Sequence, residues 1–81
     1  MSSSEMTLAR LLGDKQDELD AARDRWARCA RSLTRQLVDG AVALDQFDLA
    51  AFGAAVEDLR DATNVVRPLV AEVRELKARI M

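Results

Sequence analysis

Apolar residues recur along this chain at alternating intervals of three and four, in two long runs that little interrupts. The first run has slots at Leu8, Leu12, Lys15, Leu19, Ala22, Trp26, Cys29 and Leu33, and only Lys15 departs from it. Ala30 and Leu37 widen that stripe toward its end. The second has slots at Leu49, Phe52, Val56, Leu59, Thr63, Val66, Val70, Val73, Lys77 and Ile80, flanked on one side by Ala55, Ala62, Leu69 and Leu76. This spacing puts its members on one face of an α-helix, so the chain is restricted to long helices with one apolar stripe each. With only three Gly and one Pro in 81 residues, few breakers oppose that reading, and the abundant Ala and Leu favour it. The expected class is all-α.

Punctuation divides the chain into a tail (1–4), a first helical segment (5–38), a hinge (39–45) and a second helical segment (46–81), all in one domain. Ser2 and Glu5 fit a capping box, in which hydroxyl and carboxylate each satisfy an exposed amide at the helix start. Gly13, followed by Asp14 and Asp17, marks either the end of a short first helix or a weak point inside one helix. Asp39-Gly40 is expected to end the first segment, with Gly supplying a left-handed terminal residue. Asp45 is expected to cap the second segment, with Asp48 adding negative charge in its first turn. Pro68 normally stops a helix, but it falls opposite the apolar stripe. The unbroken phase favours a kink there, with a break near Thr63-Asn64 as the alternative.

The net charge of −2 conceals four alternating blocks. Residues 1–22 sum to −3, residues 23–38 to +4, residues 39–62 to −5 and residues 63–81 to +2. Folding the chain back near Gly40 sets opposite blocks side by side, as in an antiparallel helical hairpin. Exposed pairs contribute on the order of 0–1 kcal/mol each, so the pattern selects orientation more than it stabilises. A continuous helix from Asp45 to Ile80 would measure about 54 Å, against about 30 Å for a compact domain of this length. Either a third helix completes a bundle, or the stripes finish their burial on another chain, as in a coiled coil or an oligomeric bundle. The second option is preferred.

Several function classes lack their chemistry. Histidine is absent, which removes the usual general base and the commonest metal ligand. The carboxylate pairs Asp17-Glu18 and Glu57-Asp58 carry no metal-loop or phosphate-loop spacing, so no enzyme, cofactor, metal or small-molecule substrate is expected. One Cys closes no intramolecular disulfide, which suits a reducing, cytoplasmic setting. The most apolar run, Leu49 to Val56, is far short of the ~20 residues that span a bilayer, and no basic-then-apolar leader is apparent.

Two patterns suggest nucleic acid. Arg23, Arg25, Arg28, Arg31 and Arg35 form a basic stretch, but nearby acids offset it and only Trp26 is interleaved as a base-stacking platform. Ala9 to Gly13, followed by Leu19 and Ala22, resembles a helix-turn-helix spacing, yet the would-be recognition helix holds Asp14, Asp17, Glu18 and Asp20. A small DNA-associated regulator is therefore the alternative function. The preferred one is a protein-interaction module, an adaptor or small chaperone subunit bound to a helical partner or to itself. Its candidate interface is Trp26, Leu33, Leu37, Phe47, Phe52, Val56, Leu59, Val66, Val70 and Val73, edged by Arg60, Arg67 and Arg74. These three Arg recur every seven residues, where flanking charges select partners in coiled coils. Cys29 reads as a small core hydrophobe.

From Arg31 onward, Leu33 and Leu37, the hinge Gly40, Gln46-Phe47 and Ala55-Val56-Glu57 give the chain a likeness. It resembles the small helical-hairpin co-chaperones that hold type III secretion needle subunits soluble before export. The likeness covers about half the chain, and residues 68–81 extend past the short ending of that group. It implies a cytoplasmic, non-enzymatic subunit that binds a tetratricopeptide-like partner through its hairpin.

Overall fold

The structure, a computed structural model, describes residues 3–80. Helix α1 runs Ser3–Val42, a single 3-10 turn spans Leu44–Gln46, and helix α2 runs Leu49–Ile80. The two helices pack antiparallel along their length, and no strand occurs among the described residues. The result is a helical hairpin drawn out into a rod of 64 × 15 × 15 Å. Its radius of gyration is 18.4 Å, against about 12 Å for a compact chain of this length. The excess length is neither folded back nor broken into a third helix.

On α1 the inward residues follow the predicted stripe from Leu8 to Leu33 and carry it on through Gln36, Gly40 and Ala43. Leu19 and Ala22 are buried, and Cys29 is half-buried within the seam. Burying a Leu or Val side chain contributes roughly 1.5–3 kcal/mol, so Leu19 and Val73 are the strongest single apolar contributors. Lys15 occupies its seam slot half-buried and sends its ammonium outward to Glu72 on α2, 3.0 Å away, and to Glu18 at 3.4 Å. The hydrogen bond to Glu72, then that to Glu18, raises the Lys15 pKa above 10.5. Lys15–Glu72 is the one ion pair between the helices among the described residues. The four charge blocks therefore lie side by side with little discrete pairing.

Helix α2 departs from the predicted register. Its inward columns are Phe52, Leu59, Val66, Val73 and Ala55, Ala62, Leu69, Leu76. The column of Val56, Thr63 and Val70, expected to face the partner helix, is turned to the flank instead. Ala62 is the most enclosed residue, 1% exposed, and Ala22 is buried in α1. Small residues at these positions leave the facing side chains of the other helix room to pack.

The ends and the turn also differ from expectation. Helix α1 begins at Ser3 and not at Glu5, while the Ser2 cap lies outside the described residues. Gly13 sits within continuous helix, so no turn follows it and the helix-turn-helix spacing is not realised. Gly40 does not end α1 and has no positive φ. It is buried beneath Phe47, whose Cδ2 would lie 2.6 Å from a Cβ at that position. The connection therefore spans 43–48 instead of 39–45. Phe47 is extended (φ −67°, ψ 122°) and stacks obliquely on Phe52, with centroids 5.6 Å apart. Asp48, not Asp45, caps α2: its Oδ1 accepts from the Ala51 amide at 3.0 Å. Asp45 and Gln46 lie in the 3-10 turn, so Phe47 precedes the second helix and does not open it.

Pro68 leaves α2 unbroken. It lies on the exposed side opposite the seam, and the Asn64 carbonyl it leaves without an amide donor belongs to an exposed residue that water reaches.

The glycines give opposite expectations. Gly13→Ala meets nothing within 4 Å and should stabilise the hairpin by about 0.5–1 kcal/mol, the usual gain in a helix interior. Gly40→Ala collides with the Phe47 ring and should destabilise it by about 1–3 kcal/mol. Urea unfolding followed by circular dichroism measures both. Gain from both substitutions would contradict the Phe47–Gly40 closure.

Lys15→Met should raise the melting temperature, since an apolar chain then continues the seam past the one interruption on α1. The wild-type pair supports folding below the unfolded lysine pKa of 10.5 and loses that support as pH rises through the higher folded value. Melting curves above that pH should therefore fall more steeply for the wild type than for the variant.

Candidate interaction face

Three cross-hairpin contacts set the level of the two helices: Lys15 with Glu72, Trp26 with Thr63, and Gly40 with Phe47. At this level Ala22 stands opposite Val66, and Leu33 opposite Ala55. Helical geometry then assigns each remaining column to one of the rod's two long sides. One side carries Glu18, Arg25, Ser32 and Asp39 from α1, with Asp58, Glu72 and Arg79 from α2. It is polar apart from Leu11 and Val65.

The other side differs. Toward the turn it presents Trp26, Ala30 and Leu37 from α1 beside Leu49, Val56 and Thr63 from α2. Trp26 is 41% exposed, Leu37 54% and Val56 37%. Trp26 occupies a seam slot, but its ring leans to this flank, where the indole Nε1–H donates to Thr63 Oγ1 at 3.0 Å. Thr63 Oγ1 in turn donates to the Leu59 carbonyl at 2.7 Å, which holds the acceptor in place. Farther from the turn the same side becomes charged, with a shallow groove lined by Asp17, Asp20, Arg23, Val70, Arg74 and Lys77. Asp17, Asp20, Asp24, Arg67 and Arg74 make no ion pair among the described residues.

The expected interface residues thus separate into two sets. Leu33, Leu59, Val66 and Val73 lie in the seam, each facing the opposite helix of the hairpin. Phe47 and Phe52, both half-buried, close the turn. Trp26, Leu37, Val56 and half-buried Val70 remain on the apolar side. Arg60, Arg67 and Arg74 stand along its outer edge on α2, exposed, with Arg60 3.6 Å from Glu57 of its own helix. Leu49, 72% exposed, joins this surface although it was read only as a seam slot. Its place beyond the cap Asp48, at the first turn of α2, is the signal that would have found it.

The basic stretch does not make one face. Arg23 and Arg25 point to opposite long sides, while Arg28, Arg31 and Arg35 line a groove on the outer surface of α1 with Ser32, Gln36 and Asp39. None of the five forms an ion pair among the described residues, so the nearby acids do not pair with them directly. No helix among the described residues is long and apolar enough to cross a membrane.

No protein-family model, curated protein or solved structure matches this chain, so the functional reading rests on its own geometry.

Thr63→Val should leave the hairpin folded and release the Trp26 indole to water, at a cost of about 0.5–1.5 kcal/mol. The fluorescence maximum of the single Trp should shift to the red. An unchanged spectrum would mean that Thr63 does not hold the ring.

Proposed function

We propose that the chain is a non-enzymatic protein-interaction module, an adaptor or small chaperone subunit, and that its working surface is the apolar long side. The observation that carries this reading is the run of exposed apolar side chains, Trp26, Leu37, Leu49 and Val56, near the turn on one long side, where the other long side shows Leu11 and Val65. The chain exposes 6145 Å² at a mass of 9.0 kDa, where a compact monomer of that mass exposes about 4,900 Å². That excess follows from the elongated shape, and Trp26, Leu37, Leu49 and Val56 put apolar area into it on one side; exposed apolar patches bordered by charge mark docking sites. Trp26 is the natural anchor, because a rigid aromatic ring held by its own hydrogen bond loses little freedom on binding. Arg60, Arg67 and Arg74 supply the orienting charge at the rim.

A helix is the partner element that suits this surface. The side is a straight groove between two parallel helical edges, and a third apolar helix fills it by the same ridge-and-groove packing that joins α1 to α2. The co-chaperone likeness is one form of the same reading, with the needle-subunit partner replaced by whichever helical protein presents a matching stripe. A cytoplasmic location accords with the lone Cys.

A photo-crosslinking residue placed at Val56 should give light-dependent protein adducts in the native cell. The same residue at Asp58, on the polar long side, should give few. Absence of adducts at position 56, or equal yield from both positions, would contradict the reading.

A further inference from the structure

We infer that the occupant of the apolar side is a second copy of this chain. The two hairpins lie parallel with their turns at the same end, α1 of each against α2 of the other. The inference rests on the interaction reading above and names its partner.

The distribution of chemistry along the side argues for it. The half near the turn is apolar and the half away from it is charged. Two copies placed head to tail would bury the charged half of one against the apolar half of the other, which leaves charges desolvated without partners. Two copies placed side by side match apolar to apolar and charged to charged. A two-fold axis along the rod achieves this, and it sets α1 of one copy against α2 of its partner.

The charges then complement one another. A two-fold axis along the rod preserves height, so Arg67 of one copy stands level with Asp20 of the other, and Arg74 lies about one helical turn from the level of Asp17. All four are among the charged side chains that make no ion pair among the described residues. The antiparallel alternative stacks α2 on α2 and sets the Arg60, Arg67 and Arg74 columns against each other. Opposed like charges disfavour that arrangement.

The rod is 64 Å long, so a second hairpin laid alongside it meets the long side over many helical turns. The product is a four-helix bundle, in which each stripe left open by a two-helix hairpin acquires cover.

Sedimentation equilibrium on the full chain should return twice the 9.0 kDa chain mass. A nitroxide on Leu44→Cys, in a Cys29→Ser background, reports orientation because Leu44 lies in the turn and off the interface. Parallel pairing should place the two labels within about 20 Å, two helix diameters. Arg67→Glu and Asp20→Arg should each weaken the dimer about tenfold with helicity retained. An equimolar mixture of the two variants should recover it, because each chain then supplies the charge the other lacks.

A monomer at all accessible concentrations overturns the inference. So does a label separation near the 64 Å rod length, or a mixture that fails to recover. If the chain is monomeric while position 56 still crosslinks to another protein, self-pairing fails and the interaction reading stands. If position 56 crosslinks to nothing, the interaction reading itself fails.

Discussion

Two helices packed side by side cover only the columns that face each other, and α2 carries three apolar columns. That mismatch governs the rest of the molecule. The columns of Phe52, Leu59, Val66, Val73 and of Ala55, Ala62, Leu69, Leu76 go inward, so Val56, Thr63 and Val70 stay on the flank. Ala22 and Ala62 are buried where the helices meet, and a Val in place of Ala62 would need room there. Leaving the third column open then gives one long side its apolar stretch near the turn.

The turn depends on a second close approach. Gly40 lies within the last turns of α1, and its missing side chain lets the Phe47 ring rest on the backbone. Phe47 in turn meets Phe52 on the first turn of α2, and Asp48 caps the helix between them. This short chain of contacts sets where α2 begins, and hence which of its residues stand level with Trp26 and Lys15. The long side and the turn are therefore parts of one arrangement, because the level of the helices decides which apolar residues are adjacent at the flank.

Much of this was legible in the residues. Alternating three- and four-residue spacing marked the seam of α1 slot by slot, including the interruption at Lys15. The scarcity of breakers, with Pro68 opposite the stripe, marked two long helices in an antiparallel hairpin. What escaped were choices made by size and not by polarity. Hydrophobicity ranks Val56 and Val70 above Ala55 and Ala62, whereas tight packing prefers the small residues. Gly40 looked like a helix terminator because Asp-Gly often is one, and only the position of Phe47 discloses the other use of a missing Cβ. The boundary between Asp45 and Asp48 as caps was lost for the same reason. The charge blocks do lie beside blocks of opposite sign in the antiparallel hairpin, but they overstate discrete pairing, which amounts to Lys15 with Glu72 between the helices among the described residues.

The register of α2, and the flank it leaves open, can be read by thiol accessibility. In a Cys29→Ser chain, single cysteines at Ala62 and at Val56 would be labelled with a maleimide over a range of protein concentrations. The account predicts that position 62 stays protected throughout, while position 56 reacts readily in dilute solution and becomes protected as the concentration rises. Rapid labelling at position 62 with protection at position 56 in dilute solution would place the Val column inside the hairpin and contradict the account.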